Sequence, residues 1–335
     1  MRILVTGGAG YVGSVTVEAL QEAGHEAVVL DDLSTGHRAA VVEDVALEIG
    51  SYGDPEMLAR LLGERDIEAV LHCAAKSQVP ESVADPAKYY RENVAGGVVL
   101  LEGLRLAGVR RIVFSSTAAV YGVPKRVPIT EDQTPAPISP YGETKRVLEE
   151  ALRWYGQAYG LRSVVFRYFN VAGASRRNGE DHEAETHLIP NVLAAAQSDG
   201  ELTLFGDDLS TPDGTCIRDY IHVLDLAQAH LLGLEATQPD DERTGPPDGP
   251  CAPLLFNLGN GSGFSNREVL SMAERVTGRA IRRRVGPRRP GDPAILIASA
   301  ERARKELGWR PGHDSLEEMI GSAWEWRLAN PNGYA

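Results

Sequence analysis

The chain has little cysteine and no long apolar run, and both shortages exclude classes of protein. Its three cysteines, Cys73, Cys216 and Cys251, are too few and too scattered for a disulfide framework or a zinc site, which favours a reducing compartment. No apolar run approaches the roughly 18 residues that span a bilayer. The first residues read as a strand rather than a cleavable signal. We therefore expect a cytoplasmic protein.

Basic residues are also in short supply. The formal net charge is −13, from 34 Lys and Arg against 47 Asp and Glu. This balance disfavours nonspecific binding to nucleic acid or to a membrane, although a local anion pocket needs only two or three arginines. The 335 residues, 43% hydrophobic and 24% charged, are ordinary for a soluble globular chain and predict about two domains.

The strongest chemical signal is the pair Tyr141 and Lys145, at the start of a helix predicted over residues 140–159. Four residues apart, they share one helix face. A lysine cation, and a second cation if an oxidised nicotinamide lies near, would lower the pKa of the phenol from about 10, which makes Tyr141 a candidate base. An amphipathic helix with a solvated lysine and no catalytic role has the same spacing. The neighbouring segments therefore have to show whether this pair is catalytic.

The context is a strand that ends in a hydroxyl. Residues 111–116 read as a buried strand that leads into Thr117. Ligands of open parallel sheets bind at the carboxyl ends of the strands. Thr117 is therefore a candidate for the same site as Tyr141.

A glycine-rich turn indicates a dinucleotide. Gly7, Gly10 and Gly13 lie between a strand at residues 2–6 and a helix at residues 12–23. Such a turn needs glycine's backbone freedom, lets a pyrophosphate approach the main chain, and places it at a helix N-terminus.

The next strand, residues 26–30, ends in two acids, Asp31 and Asp32. A carboxylate about 20 residues after the glycines is expected to bind the hydroxyls of the adenosine ribose. Two adjacent acids would repel a 2′-phosphate, so we favour NAD over NADP, although Arg38 lies nearby.

Strand and helix alternate through the first half of the chain. A strand at residues 67–73 precedes small residues at 74–77, a helix at 87–107 carries Asn93, and a strand follows at 161–168. We predict an α/β fold with a doubly wound, Rossmann-like parallel sheet and a second, smaller α/β substrate domain. The domains are residues 1–170 for NAD, with some later segments returning to it, and residues 171–335 mainly for the nucleotide sugar. Later elements are predicted at 188–198, 202–205, 223–235, 254–258, 265–277, 299–307 and 316–328.

With these motifs in this order, the chain resembles the extended short-chain dehydrogenase/reductase superfamily, and within it the UDP-glucose (UDP-galactose) 4-epimerases. The segments that carry the resemblance are residues 4–14, 81–83, 115–122, 167–174 and 214–222. It implies an NAD-dependent isomerase of galactose and carbohydrate metabolism that acts on a UDP-sugar and forms a homodimer, with no metal.

The resemblance also implies the site residues. The catalytic residues would be Thr117, Tyr141 and Lys145. The cofactor would contact Gly7, Gly10, Tyr11, Val12, Gly13, Asp31, Asp32, Ser34, Tyr52, Cys73, Ala74, Ala75, Ser77, Asn93, Ser115, Tyr141, Lys145 and Tyr168. The UDP-sugar would contact Thr117, Phe169, Asn170, His187, Leu188, Thr203, Leu204, Phe205, Arg218, Arg289, Asp292 and Leu296.

The chain departs from the family pattern at four places. Ser51 stands where an acid commonly contacts adenine, so Tyr52 has to supply that contact or the affinity is weaker. Ser77 replaces a lysine of one branch, and His187 replaces a common asparagine beside the phosphates. Leu296 stands where some members have a tyrosine against carbon 2 of the sugar, which opens the substrate range.

Three functions remain open at this point. The first is 4-epimerisation of UDP-glucose and UDP-galactose, or of another nucleotide sugar, through a 4-keto intermediate. The second is a sugar-nucleotide dehydratase or decarboxylase, which needs an extra acid or base where Ala118 and Ala119 follow Thr117. The third is a non-catalytic NAD-sensing protein, which has no need of Thr117, Tyr141 and Lys145 together.

Overall fold

The computed structural model describes residues 1–183, 185–198, 200–246, 249–288 and 293–334. The strands in these ranges are β1 (Arg2–Thr6), β2 (Glu26–Asp31), β3 (Ala46–Ile49), β4 (Ala69–His72), β5 (Arg111–Thr117), β6 (Arg162–Tyr168), β7 (Asn170–Ala172), β8 (Glu201–Phe205), β9 (Ile217–Arg218), β10 (Tyr220–His222), β11 (Leu254–Leu258), β12 (Phe264–Ser265), β13 (Arg282–Gly286) and β14 (Ile295–Leu296).

The helices in the same ranges are α1 (Tyr11–Glu22), α2 (Pro55–Glu64), α3 (Val79–Ala84), α4 (Pro86–Tyr89), α5 (Gly96–Ala107), α6 (Pro140–Tyr159), α7 (Leu188–Ser198), α8 (Val223–Ala236), α9 (Asn266–Thr277) and α10 (Leu316–Ala329). Shorter helical turns occur at Arg38–Ala40, Ala118–Tyr121 and Glu242–Thr244, and wide, π-type turns at Tyr90–Ala95 and Ala303–Leu307. None of the helices within these ranges is long and apolar enough to cross a membrane.

Seven strands form one parallel sheet in the order β11-β6-β5-β4-β1-β2-β3. From β1 the chain adds β2 and then β3, which forms one edge of the sheet. It then crosses back and places β4 on the other side of β1. The connections that follow β1 and β4 therefore run in opposite directions, and this leaves a crevice at the carboxyl ends of the two strands where a ligand can bind. The predicted doubly wound sheet is confirmed.

Apolar side chains cover both faces of this sheet. α1 and α8 pack together on one face, with Leu20 and Leu226 in the shared core. α2, α5 and α6 cover the other face through residues such as Leu61 and Leu148. A separate apolar cluster forms between α7, α9 and α10 and provides the core of the smaller lobe.

Local capping signals position α6, the helix of Tyr141 and Lys145. The Ser139 hydroxyl accepts a hydrogen bond from the backbone N–H of Gly142 at 3.2 Å, and Pro140 occupies the first turn, where its missing N–H costs nothing. Gly160 ends the helix in the left-handed conformation, at φ 67°. The observed bounds are those predicted from the sequence.

Other elements differ from prediction. The helix expected at residues 87–107 is interrupted by the wide turn Tyr90–Ala95, which buries Asn93. The sequence analysis also did not identify β3 or α2. β11 returns to the large sheet from the second half of the chain, whereas the division of domains at residue 170 stays a prediction.

Candidate functional site

A cavity of about 1380 Å³ extends from the carboxyl ends of the large sheet to the smaller lobe. Its wall contains every predicted cofactor and substrate residue within the described ranges except two, Asn93 and Ser115. Arg289 and Asp292 lie outside the described residues. One cavity thus joins the proposed cofactor half to the proposed sugar half.

Thr117, Tyr141 and Lys145 meet on one wall of this cavity. The Thr117 hydroxyl lies on the same wall as the Tyr141 phenol and accepts the N–H of Ala119 at 3.1 Å. The Lys145 ammonium donates to the Ser115 carbonyl at 2.8 Å and lies 4.8 Å from the centre of the Phe114 ring. The backbone of β5 thus orients the lysine directly.

The protein's own groups do not make Tyr141 acidic. Burial raises the pKa of Tyr141 to about 12, against a smaller lowering by the nearby Thr117 hydroxyl. Burial lowers the pKa of Lys145 to about 8, although the nearby Cys73 and Glu149 oppose this. The expectation that Lys145 lowers the pKa of the phenol is therefore wrong for the chain alone. Any such lowering has to come from a second cation.

Two of the motif glycines are required by close approach of the backbone. Gly7 has φ 73°, and a Cβ there would lie 2.6 Å from the backbone nitrogen of Ala74. A Cβ at Gly13 would collide with the Gly7 carbonyl oxygen. The turn before α1 is thus a stretch of main chain with little side-chain cover, beside Ala74, and such a turn can hold the pyrophosphate of a dinucleotide.

The two acids after β2 play different parts. Asp31 accepts the N–H of Ala9 at 3.0 Å and the N–H of Leu33 at 2.9 Å, and burial raises the pKa of its carboxyl group. Asp32 accepts from Ser34 at 2.9 Å and lies 3.9 Å from the Lys76 ammonium. Burial would raise the pKa of Asp32, but these contacts outweigh it and lower the pKa. Through its bond to the N–H of Ala9, Asp31 also holds the glycine turn in place.

Asn93 and Ser115 lie behind the cavity wall. The Asn93 amide accepts from the N–H of Lys76 at 2.9 Å, donates to its carbonyl at 3.0 Å, and donates to the Thr144 hydroxyl at 3.1 Å. It therefore ties the loop after β4 to α6. The Ser115 hydroxyl is hydrogen-bonded to His230 at 2.9 Å, and its carbonyl holds Lys145. Both side chains position other residues rather than face the cavity.

On the sugar side, Phe169, Asn170, Leu188, Arg218 and Leu296 line the cavity, together with Thr203, Leu204 and Phe205. β14 pairs with β9 so that Leu296 lies opposite Arg218. The side chain of Ile297 instead packs over Gly263. Strand pairing therefore fixes which residue of this segment faces the cavity.

The sequence analysis missed three residues beside His187. Glu180, His182 and Glu185 line the same wall. Burial lowers the pKa of His187, but Glu180 and Glu185 outweigh it and raise that pKa well above its usual value. The signal available in the sequence was six acidic or histidine residues within the eight residues 180–187.

The comparisons agree with this geometry. A sequence model of the NAD dependent epimerase/dehydratase family matches residues 3–244. A protein of Lactobacillus helveticus named UDP-glucose 4-epimerase is 47% identical over 337 residues, covering 100% of this chain and 99% of its own length.

Two solved structures share the whole fold. A UDP-glucose 4-epimerase crystal structure has a TM-score of 0.94 and 45% identity, with 100% of both chains covered. The UDP-glucose 4-epimerase of Bifidobacterium longum, solved with NAD+ and UDP, has a TM-score of 0.91 and 35% identity over 99% of this chain and 100% of its own.

Proposed function

The chain belongs to the NAD dependent epimerase/dehydratase family, and from that membership we propose that it inverts carbon 4 of a UDP-hexose, interconverting UDP-glucose and UDP-galactose. The observation that carries the proposal is the arrangement of Thr117, Tyr141 and Lys145 on the wall of a cavity that continues from the glycine turn to Arg218. The residues present fit NAD, because the turn at Gly7, Gly10 and Gly13 lines the cavity at the start of α1 and packs too closely for a Cβ at Gly7 or Gly13.

The chain's own residues handle the proton and the position of the sugar. The Tyr141 oxygen takes the proton of the sugar 4-hydroxyl, and the Thr117 hydroxyl, on the same cavity wall, orients that sugar hydroxyl. The Lys145 ammonium, held by the Ser115 carbonyl, supplies a fixed positive charge. NAD held by the glycine turn and Asp31 would supply a reversible hydride acceptor for carbon 4, so that the reaction would have no net oxidation.

Inversion needs a sugar that is held at one end and free to turn at the other. Arg218 is a forked donor suited to the diphosphate. The cavity, at about 1380 Å³, gives the 4-keto sugar room to present its other face. Positions 118 and 119 are alanines, so the extra acid that a dehydratase needs is not supplied there.

The experiment that tests the function is incubation of the pure protein with a panel of nucleotide sugars, followed by separation of the products. We expect UDP-glucose and UDP-galactose to interconvert to one equilibrium mixture from either side, without added cofactor. Formation of a 4-keto-6-deoxy product would favour the dehydratase, and no turnover of any sugar would favour the non-catalytic NAD-binding protein.

We propose that the substrate range extends to N-acetylated UDP-hexoses. Leu296 lines the sugar end of the cavity and is smaller than the tyrosine expected at this position in narrower members. A wall excludes an acetamido group by overlap more strongly than by lost contacts. The smaller side chain therefore leaves space beside carbon 2 of the sugar.

We also propose a homodimer formed through the outer face of α5 and α6. These helices pack side by side and expose Leu106 and Trp154, 72% and 55% accessible. Exposed large apolar side chains on one face favour contact with a second copy. Light scattering should show a dimer that Leu106→Glu disrupts. The control Leu328→Glu, at an exposed position on α10, should stay dimeric, and a monomeric wild type would refute the proposal.

We place the enzyme in the cytoplasm as part of the same proposal. Cys73 and Cys251 are free thiols, which is the state expected in a reducing compartment. Fractionation of the native cells tests this directly, and recovery of the activity outside the cytoplasmic fraction would contradict it.

A further inference from the structure

Four side chains with metal-binding atoms converge on the substrate side of the cavity: Glu180, His182, Glu185 and His187. One donor atom from each lies within 4.8 Å of the others. The His182 Nδ1 atom is 3.1 Å from Glu185 and 3.5 Å from Glu180, and the His187 Nδ1 atom is 2.6 Å from Glu180 and 3.3 Å from Glu185. Elsewhere in the described ranges, no second group of three or more such side chains meets in this way.

Hydrogen bonds within the loop hold these groups in place. The Glu185 carboxylate accepts the N–H of Thr186 at 2.7 Å and the N–H of His187 at 2.6 Å. The Asn191 amide donates to the carbonyls of Glu185 and His187, at 3.3 and 2.7 Å, and so fastens the loop to the first turn of α7. The Glu180 side chain is only 8% exposed. The donors are thus oriented before any ligand arrives.

The donor set selects the kind of ion. Two imidazoles and two carboxylates suit zinc or manganese, whereas calcium and magnesium prefer oxygen alone and copper(I) prefers sulfur. Ligands about 2.0–2.2 Å from a tetrahedral zinc are separated by roughly 3.3–3.6 Å. The 3.5 Å from His182 to Glu180 Oε1 lies in this range, and either single contact to Glu185, at 3.1 Å from His182 to Oε2 or at 3.3 Å from His187 to Oε1, lies within a few tenths of an ångström of it. The distance between His187 and Glu180, 2.6 Å, is that of a hydrogen bond, so the ion would take the place of the proton between these two groups.

Charge favours the same conclusion. Two partly buried carboxylates, 8% and 16% exposed, carry two negative charges beside neutral imidazoles, and a divalent ion balances them without additional groups. Protonation of both histidines would achieve the same balance, so the metal and the protons compete for the same Nδ1 atoms.

We propose that Glu180, His182, Glu185 and His187 together bind one divalent transition-metal ion, best matched by zinc. The ion fixes the wall of the cavity that leads into α7. This site stands on its own ligands and does not depend on the proposed reaction.

The test uses the full chain without an affinity tag, stripped with a chelator and then loaded with zinc or cobalt(II). We expect one ion per chain by elemental analysis after dialysis, and visible cobalt bands of a nitrogen and oxygen site. His182→Ala and Glu180→Gln should each weaken zinc binding by at least tenfold in calorimetry, as loss of even an indirect metal contact costs about 10–100-fold. His25→Ala, at a histidine remote from the cavity wall, should bind as the wild type does.

Two results would overturn the site. One is a wild type that retains no ion and gives no cobalt bands. The other is equal zinc affinity in wild type, His182→Ala and Glu180→Gln, which would place any bound zinc elsewhere. The wild-type cobalt spectrum needs no variant, so it decides the question even if a variant folds poorly. All these measurements are made without a sugar nucleotide, so they are independent of turnover.

Discussion

Replacing Tyr141 with phenylalanine tests the proposed base with the smallest possible change. The substitution removes one oxygen atom from a buried side chain whose ring still packs in the same space. The Thr117 hydroxyl keeps its bond from the N–H of Ala119, so no buried polar group loses its last partner. We therefore expect the free energy of unfolding to change by no more than about 1 kcal/mol.

The catalytic effect should be far larger. With a pKa of about 12 in the chain alone, the phenol lies about four units above an assay pH near 8, a difference of roughly 5 kcal/mol between its two forms. The bound oxidised cofactor has to offset a large part of this for Tyr141 to act as a base. A positioned base contributes about 10²- to 10⁴-fold, so Tyr141→Phe should lower kcat by that factor, or about 3–5 kcal/mol.

The assay follows conversion of UDP-galactose to UDP-glucose and gives kcat and KM separately. Bound NAD, measured after heat release, and the thermal midpoint should match the wild type. Tyr121→Phe is the matched control, because its hydroxyl donates to Asn257 at 2.7 Å inside the core and lies off the cavity wall. It should lose stability, by about 1–3 kcal/mol, but keep kcat. If Tyr141→Phe retained more than about a tenth of wild-type activity, Tyr141 would not be the essential base.

Three further predictions concern the cofactor, the pH profile and the substrate range. NAD should copurify, and heat-released supernatant should contain about one NAD per chain; finding NADP would contradict the role given to Asp31 and Asp32. Because burial lowers the pKa of Lys145 to about 8, its side chain is protonated well below that pH and neutral well above it. We therefore expect kcat to fall as the pH rises through about 8 while the protein stays folded. A kcat that stays constant to strongly alkaline pH would refute the need for this charge. Leu296→Tyr should selectively lower kcat/KM for UDP-N-acetylgalactosamine relative to UDP-galactose, with Leu296→Ile as the volume control; a wild type inactive on the acetylated sugar would rule out the wider range.

Local signals determined which parts of the fold were predictable. α6 was predicted with its observed bounds because Ser139, Pro140 and Gly160 are chain-local caps. α2 has comparable signals, an Asp54 cap and Pro55, and was overlooked. β13 was not recognised, because its three arginines suggest a solvated surface and its strand conformation depends on pairing with β8, about 80 residues earlier.

The site divides in the same way. Gly7, Gly13 and Tyr141 were predictable because their spacing alone encodes a turn or a helix face. The inward direction of Leu296 depends on its pairing with Arg218, which the sequence does not specify. The cluster around His187 depends on how one loop folds back on itself, so the adjacent chelating residues were visible in the sequence but their convergence was not.

The position of β11 has a consequence for how the chain is made. β6 is complete at Tyr168, but its outer neighbour β11 begins only at Leu254, after α7 and β8 of the smaller lobe and after α8. At about 5–20 residues per second, a ribosome takes roughly 4–17 seconds to synthesise the intervening residues. During that time the long apolar edge of β6 has no strand beside it, and such an edge can pair with other chains. The nascent protein is therefore exposed to aggregation through this edge, and in need of a chaperone, in the middle of its synthesis.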